Sequence, residues 1–218
     1  MKTILIFFLS VYSITSLIGQ NFSIGPEVGI NSSISSAYKP FDMENRRNTY
    51  IIGINLQYHF IDRVSFTSGL HYLRQGYKHS TCYLFKPGVK NELIGKFDYL
   101  AVPIIANLHL LKSRKMIISI GLLGAFIIKA GQDYPERIGG CDLGYVSNLS
   151  LVTEKFSCLG IIGAGYKIFE KNKFELISYL KYYHGLSNTY KEAAENPFIN
   201  IDRRFSSTLL TLNFNYKI

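Results

Sequence analysis

From Tyr50 to Phe60 every second residue is apolar: Tyr50, Ile52, Ile54, Leu56, Tyr58 and Phe60 alternate with positions that include Gly53, Asn55, Gln57 and His59. A period of two places the two sets on opposite faces of an extended strand, whereas a helix would mix them. The C-terminus repeats the pattern, with Leu210, Leu212, Phe214, Tyr216 and Ile218 on one face and Thr211, Asn213, Asn215 and Lys217 on the other. Segments 22–31, 64–77, 97–110, 116–130, 156–168 and 174–186 fit the same template, so eight strands are expected. Most exceed the usual soluble strand of about five or six residues and approach the roughly 9–11 that a tilted bilayer-spanning strand needs.

The connections alternate in length. Short links fall at 61–63, 111–115 and 170–173, and long polar links at 32–48, 78–96, 131–155 and 187–203. Outer-membrane barrels carry short periplasmic turns and longer extracellular loops in this order. The expected fold is an all-β, eight-stranded antiparallel up-and-down transmembrane barrel with both termini on the short-turn side.

Alternation alone does not say which face points outward, and a soluble lipocalin-like carrier would reverse the faces. Ring positions favour the membrane. The apolar face carries Phe22, Phe60, Phe66, Tyr166, Phe174 and Tyr216 near the short turns, and Tyr50, Tyr72, Phe126 and Tyr182 toward the long links. Two aromatic girdles at lipid–water boundaries would look like this. On the opposite face Gly25, Gly29, Gly53, Gly69, Gly121, Gly163 and Gly165 leave room for Glu27, Lys129, Lys167, Glu175, Tyr179, Lys181 and Tyr183. Eight strands enclose just enough space for side chains to fill, so a packed, partly polar interior without an open channel is expected.

Composition agrees: 218 residues with 47% hydrophobic, 18% charged and a mean hydropathy of +0.10 fit one folded domain rather than a disordered chain or a helical bundle. The net charge of +9 could suit nucleic acid, but the basic residues are scattered, with doublets only at Arg46-Arg47 and Arg203-Arg204. No nucleic-acid partner is expected. Lys2, the apolar run from Ile4 and the small residues before Gln20 read as a cleaved signal peptide over 1–19, which leaves 20–218 as the barrel domain. Of the three cysteines, Cys82 and Cys141 fall in long links at one end and are the only pair placed to bridge, while Cys158 lies on a strand. The absence of a dense cysteine framework favours three unpaired thiols.

The stretch Phe97-Asp98-Tyr99-Leu100-Ala101-Val102-Pro103-Ile104-Ile105 resembles the "YDYLEIPLLLK" strand of the outer-membrane β-barrel domain family common in Bacteroidota, which includes PorT-like proteins. VSFTSGLHYLRQGY over 64–77, KYYHGL over 181–186 and the closing NYKI over 215–218 are similar to further strands of that family, in the same order. Ala101 stands where the family usually has an inward acidic residue, and Asn107 where it commonly has a basic one. The resemblance implies the barrel fold and the outer membrane, with PorT-like secretion as the specific role.

Three groups of residues invite chemistry. His59 and His109 lie inward at the short-turn ends of their strands with Ser65 between them, a nucleophile-and-base pairing, but Asp62 and Asp98 are not placed to orient an imidazole. No close-spaced ligand pair suggests zinc. No catalytic, cofactor-binding or metal-binding residue is therefore assigned, and a non-enzymatic protein is expected. Glu175 and Lys167 should pair inside the barrel, and with Lys129, Lys181, Lys217 and Glu27 the lumen would hold a surplus of two positive charges, four Lys against two Glu. Arg46, Arg47, Arg74, Lys78, Lys155, Arg203 and Arg204 fall near the long-link rim, where they could clamp lipid phosphates or simply be solvated beside Asp42, Glu44, Glu154 and Asp202. Tyr38, Phe41, Tyr134, Tyr190 and Phe198 are candidate contacts in the long links. The expected partners are outer-membrane lipid, the barrel-insertion machinery and envelope proteins met through the loops. The expected role is structural, adhesive or in assembly, with a lipid-acting enzyme and a soluble carrier as alternatives.

Overall fold

The computed structural model describes residues 21–36, 44–81, 91–110, 113–133, 153–189 and 204–218. The strands are β1 (Phe22–Ser36), β2 (Glu44–Asn45), β3 (Arg47–Ile61), β4 (Val64–Thr81), β5 (Asn91–Leu110), β6 (Met116–Asp133), β7 (Phe156–Lys171), β8 (Phe174–Gly185) and β9 (Arg204–Lys217). Eight of them pair antiparallel around a ring in the order β4-β3-β1-β9-β8-β7-β6-β5, and β5 returns to β4. The first and last long strands are neighbours, with Ile24 opposite Tyr216 and Ser33 opposite Ser207. The two-residue β2 adds only a short ladder, Glu44 opposite His79, beside the end of β4. Closure of the ring pairs each long strand with two neighbours, which lets a β-structure lie in hydrocarbon with its backbone polar groups satisfied.

The strands overrun their expected limits on the long-link side: β1 reaches Ser36, β4 Thr81 and β6 Asp133, while β3 begins at Arg47, β5 at Asn91 and β9 at Arg204. There the alternation fades into polar sequence such as KHST over 78–81, because a strand outside lipid needs no apolar face. Only β8 stops short of expectation, at Gly185. The opposite end is made of tight turns. Asn172 sits at φ 55 between paired Lys171 and Phe174, in the left-handed region that asparagine tolerates better than most residues.

The apolar face points outward. Ile54, Ile104, Ile120, Ile128 and Ile162 are all exposed, as are Leu122, Leu180 and Leu210, and this belt rules out the soluble-carrier arrangement. Both aromatic girdles are present on it: Phe60 meets Phe66 at 6.3 Å and Phe174 meets Tyr216 at 5.2 Å near the short turns, while Tyr50 meets Tyr72 at 5.9 Å and Phe126 meets Phe156 at 5.0 Å at the other end. Along β7, Phe156 and Tyr166 bound the belt, a span of roughly 25 Å for a strand tilted about 40°.

Three β-bulges interrupt the alternation, at Phe60, Ile128 and Ile168, each where the partner strand advances by one residue fewer. An extra residue moves every following side chain to the other face. Two of these shifts alter the charge map described below. Cys158 lies on β7 as a free thiol, half-buried, and Cys82 and Cys141 lie outside the described residues, as does the expected signal peptide.

Candidate functional site: the barrel interior and its outer rim

The interior grades from a mainly apolar seal toward the long links, which also holds a buried Gln75–Ser207 hydrogen bond at 3.1 Å, to a mainly polar network toward the short turns, which also holds the apolar cluster of Ile117, Ile177 and Tyr179. The seal is built from inward positions of every long strand except β1, among them Ile51, Leu73, Leu123, Leu159, Leu209 and Tyr183, all buried. Above these, Tyr77, Phe97 and Phe205 close the bore as a trio of rings 5.0 to 6.4 Å apart. Ala101, the first departure from the family pattern, is buried in this seal directly opposite His71 of β4.

Below the seal lies Glu27, fully buried. Its carboxylate accepts from Lys181 Nζ at 2.6 Å and from Asn55 Nδ2 at 2.6 Å, and His71 Nε2 stands 3.8 Å away. Asn55 spreads the network: its Oδ1 accepts from His71 Nε2 at 2.8 Å and its Nδ2 also reaches Asn213 Oδ1 at 3.0 Å. The next layer holds Asn107, which donates to Thr67 at 2.8 Å and accepts from Ser119 at 2.6 Å. Asn107, the second departure from the family pattern, thus sits in an uncharged hydrogen-bonded trio.

Nearest the short turns, Lys167 Nζ donates to Glu175 at 2.9 Å and to Glu170 at 3.0 Å, and Lys217 Nζ donates to the same carboxylates at 2.8 and 2.6 Å. The expected Lys167–Glu175 pair is therefore half of a four-membered cluster. The expected charge surplus is corrected in two ways. The bulge at Ile128 turns Lys129 out of the lumen to an exposed position, and the bulge at Ile168 turns Glu170 into reach of both lysines. Three Lys (167, 181, 217) then face three Glu (27, 170, 175), a balanced interior. Low-dielectric surroundings penalise an unpaired charge, so balance is the stable solution.

His59, His109 and Ser65 do come together. Ser65 Oγ lies 3.0 Å from His109 Nε2 and accepts from Gln57 Nε2 at 2.7 Å, and the two imidazoles stand 6.2 Å apart. Among the described residues no carboxylate is hydrogen-bonded to either ring: Asp62 pairs with Arg114 at 2.7 Å and Asp98 with Arg74. A cavity of about 350 Å³ opens at this end, lined by Asn21, His59, Asp62, Arg114 and Lys217. His59 Nε2 has no hydrogen-bond partner among the described residues. Among those residues, no cluster of three His, Cys, Asp or Glu is placed to hold a metal ion. Alternation in β3 puts Asn55 on the inward face, but its hydrogen bond to Glu27, and that of His71 to Asn55, are visible only in the structure.

At the other rim Arg74 donates to Asp98 through Nε at 2.6 Å and Nη2 at 3.0 Å. Arg47 donates to the Gly95 carbonyl at 2.8 Å, tying the end of β3 to β5. Arg46, Lys155 and Glu154 are exposed, and Lys78 and Arg204 half-buried. Arg203, Asp42, Asp202 and the aromatics Tyr38, Phe41, Tyr134, Tyr190 and Phe198 lie outside the described residues, as does the Glu44 side chain.

Solved structures to which the chain is similar include Ail, the attachment invasion locus protein of Yersinia pestis, at 9% identity and TM-score 0.43 over 90% of this chain and 99% of that one. Neisserial surface protein A matches at 11% identity and TM-score 0.42 over 90% and 97%, and OprG from Pseudomonas aeruginosa at 10% and 0.48 over 92% and 96%. No curated protein matches the sequence. The profile of the outer membrane protein beta-barrel domain family matches residues 18–191, the greater part of the chain, and with the closed ring, the outward apolar belt and the two girdles already in place the protein belongs to that family and resides in the outer membrane.

Proposed function

We propose that the protein is a non-enzymatic outer-membrane scaffold that acts through its long links, in adhesion or in assembly of an envelope apparatus, with PorT-like secretion as the specific form. The observation that carries this is the apolar seal: side chains of seven strands and the rings of Tyr77, Phe97 and Phe205 pack the bore among the described residues. A rigid closed wall is suited to holding recognition loops. Replacing residues 134–150 with a short Gly-Ser link should leave the barrel folded and abolish secretion or adhesion in cells complemented with the variant. Stepwise conductance of the intact protein in a planar bilayer would overturn the reading, as would full complementation by the trimmed chain.

A nucleophilic reading rests on the Ser65–His109 contact alone. Ser65 is fully buried beneath the belt and faces no lipid, so Ser65→Ala should leave any ester-hydrolysis background of the purified protein unchanged. Loss of a measurable rate in that variant would revive the enzyme.

A further inference from the structure

The bulge at Ile128 does more than remove a charge from the lumen. Lys129 emerges on the outer surface directly opposite Asp98 on β5, and Asp98 is in turn opposite Arg74 on β4. Three neighbouring strands thus present a row of two cations flanking one carboxylate, with a net charge of one positive. Arg74 lies over the rings of Tyr50 and Tyr72, at 5.3 and 5.9 Å, and its Nη2 also reaches Tyr72 Oη at 3.0 Å. These tyrosines belong to the long-link girdle, so the row stands one step beyond the apolar belt, at the level of lipid headgroups.

We propose that Arg74 and Lys129 bind a phosphate of an anionic lipid in the outer leaflet. Asp98 is a positioning residue: it is largely covered, at 12% side-chain exposure, and holds the guanidinium through Nε and Nη2. Arg74 Nη1 makes no hydrogen bond among the described residues, and exposed Lys129 forms no ion pair within 4 Å among them, which leaves donors on both sides of the row. A tetrahedral phosphate accepts from several donors at once, and an arginine fixed by aromatic faces and a carboxylate meets it without reorganising. β-bulges recur where a sheet must re-aim a side chain, and here the re-aimed group is the second cation.

The test uses the full chain in phosphatidylcholine nanodiscs containing either diphosphorylated lipid A or its dephosphorylated form, with retained lipid per barrel read by native mass spectrometry after mild extraction. The phosphorylated lipid should be retained in excess. Lys129→Gln should lower that excess about fivefold, the effect of one cation near an anionic surface, and Arg74→Gln combined with Asp98→Asn at least as much. Lys171→Gln removes an exposed charge at the opposite end and should change nothing. Unboiled gel mobility establishes folding of each variant, and if the double variant fails to fold, Lys129→Gln decides alone. Equal retention of the two lipids by the unmodified protein would overturn the proposal, and so would equal losses from Lys129→Gln and Lys171→Gln. Displacement of the lipid by orthophosphate at matched concentration would also overturn it, by showing a site for free phosphate.

Discussion

The Glu27–Lys181 pair offers the sharpest test of how the interior is held. Glu27 is fully buried and accepts hydrogen bonds from Lys181 and Asn55, both at 2.6 Å, so Glu27→Gln removes the only carboxylate among the described residues within bonding distance of a lysine that is itself 3% exposed. Lys181 would keep a neutral amide oxygen at position 27 and the face of Tyr179, 4.9 Å away, but no counter-charge against its desolvation. Stranding one member of such a pair costs about 3–5 kcal/mol, and Lys181→Met, which strands the carboxylate, should cost about the same. The double variant Glu27→Gln/Lys181→Met strands neither charge and should cost about 2 kcal/mol or more less than the two single losses added together. The chain has no Trp, so unfolding in urea is best followed by the folded and unfolded bands on unboiled gels of the protein in lipid vesicles. Additive losses would refute the reasoning and mean that water, rather than the partner residue, already compensates each charge.

Other variants probe the wall and the seal. Ile104→Arg places a charge on the belt, where Ile104 is 66% exposed to lipid, and should cost about 2–4 kcal/mol in the same urea assay if that face meets the bilayer. Phe97→Ala, deep in the seal, should cost about 3–5 kcal/mol, whereas Leu108→Ala on the lipid face should cost far less, read from paired melting curves of band mobility. Gly25→Ala would drive a Cβ into the backbone carbonyl of Phe214 at the β1–β9 seam, so the folded band should be lost or its melting temperature sharply lowered.

Much of this was legible along the chain. Period-two alternation found all eight long strands, and the placement of aromatic rings chose the outward face, because a wall one residue thick, with lipid on one side and a packed bore on the other, writes its two environments onto successive residues. His59, His109 and Ser65 were brought together as the alternation and link lengths implied, and so were Lys167 and Glu175. Strand ends were misjudged where both faces leave the bilayer and the pattern has no cause.

Lys129 and Glu170 mark the boundary of what alternation can tell. Each lies one residue or two beyond a bulge, and each sits on the side opposite to the one its parity implies. A bulge is a property of two strands measured against each other, created when one needs an extra residue to keep its register, and a single chain read in order carries no record of it. The sequence alone therefore determined the barrel, its membrane face and its compartment. The pairing of strands decided which charges fill the bore, how Glu27 is satisfied by Asn55 and Lys181 from two other strands, and which lysine faces the lipid, because those depend on register around a closed ring.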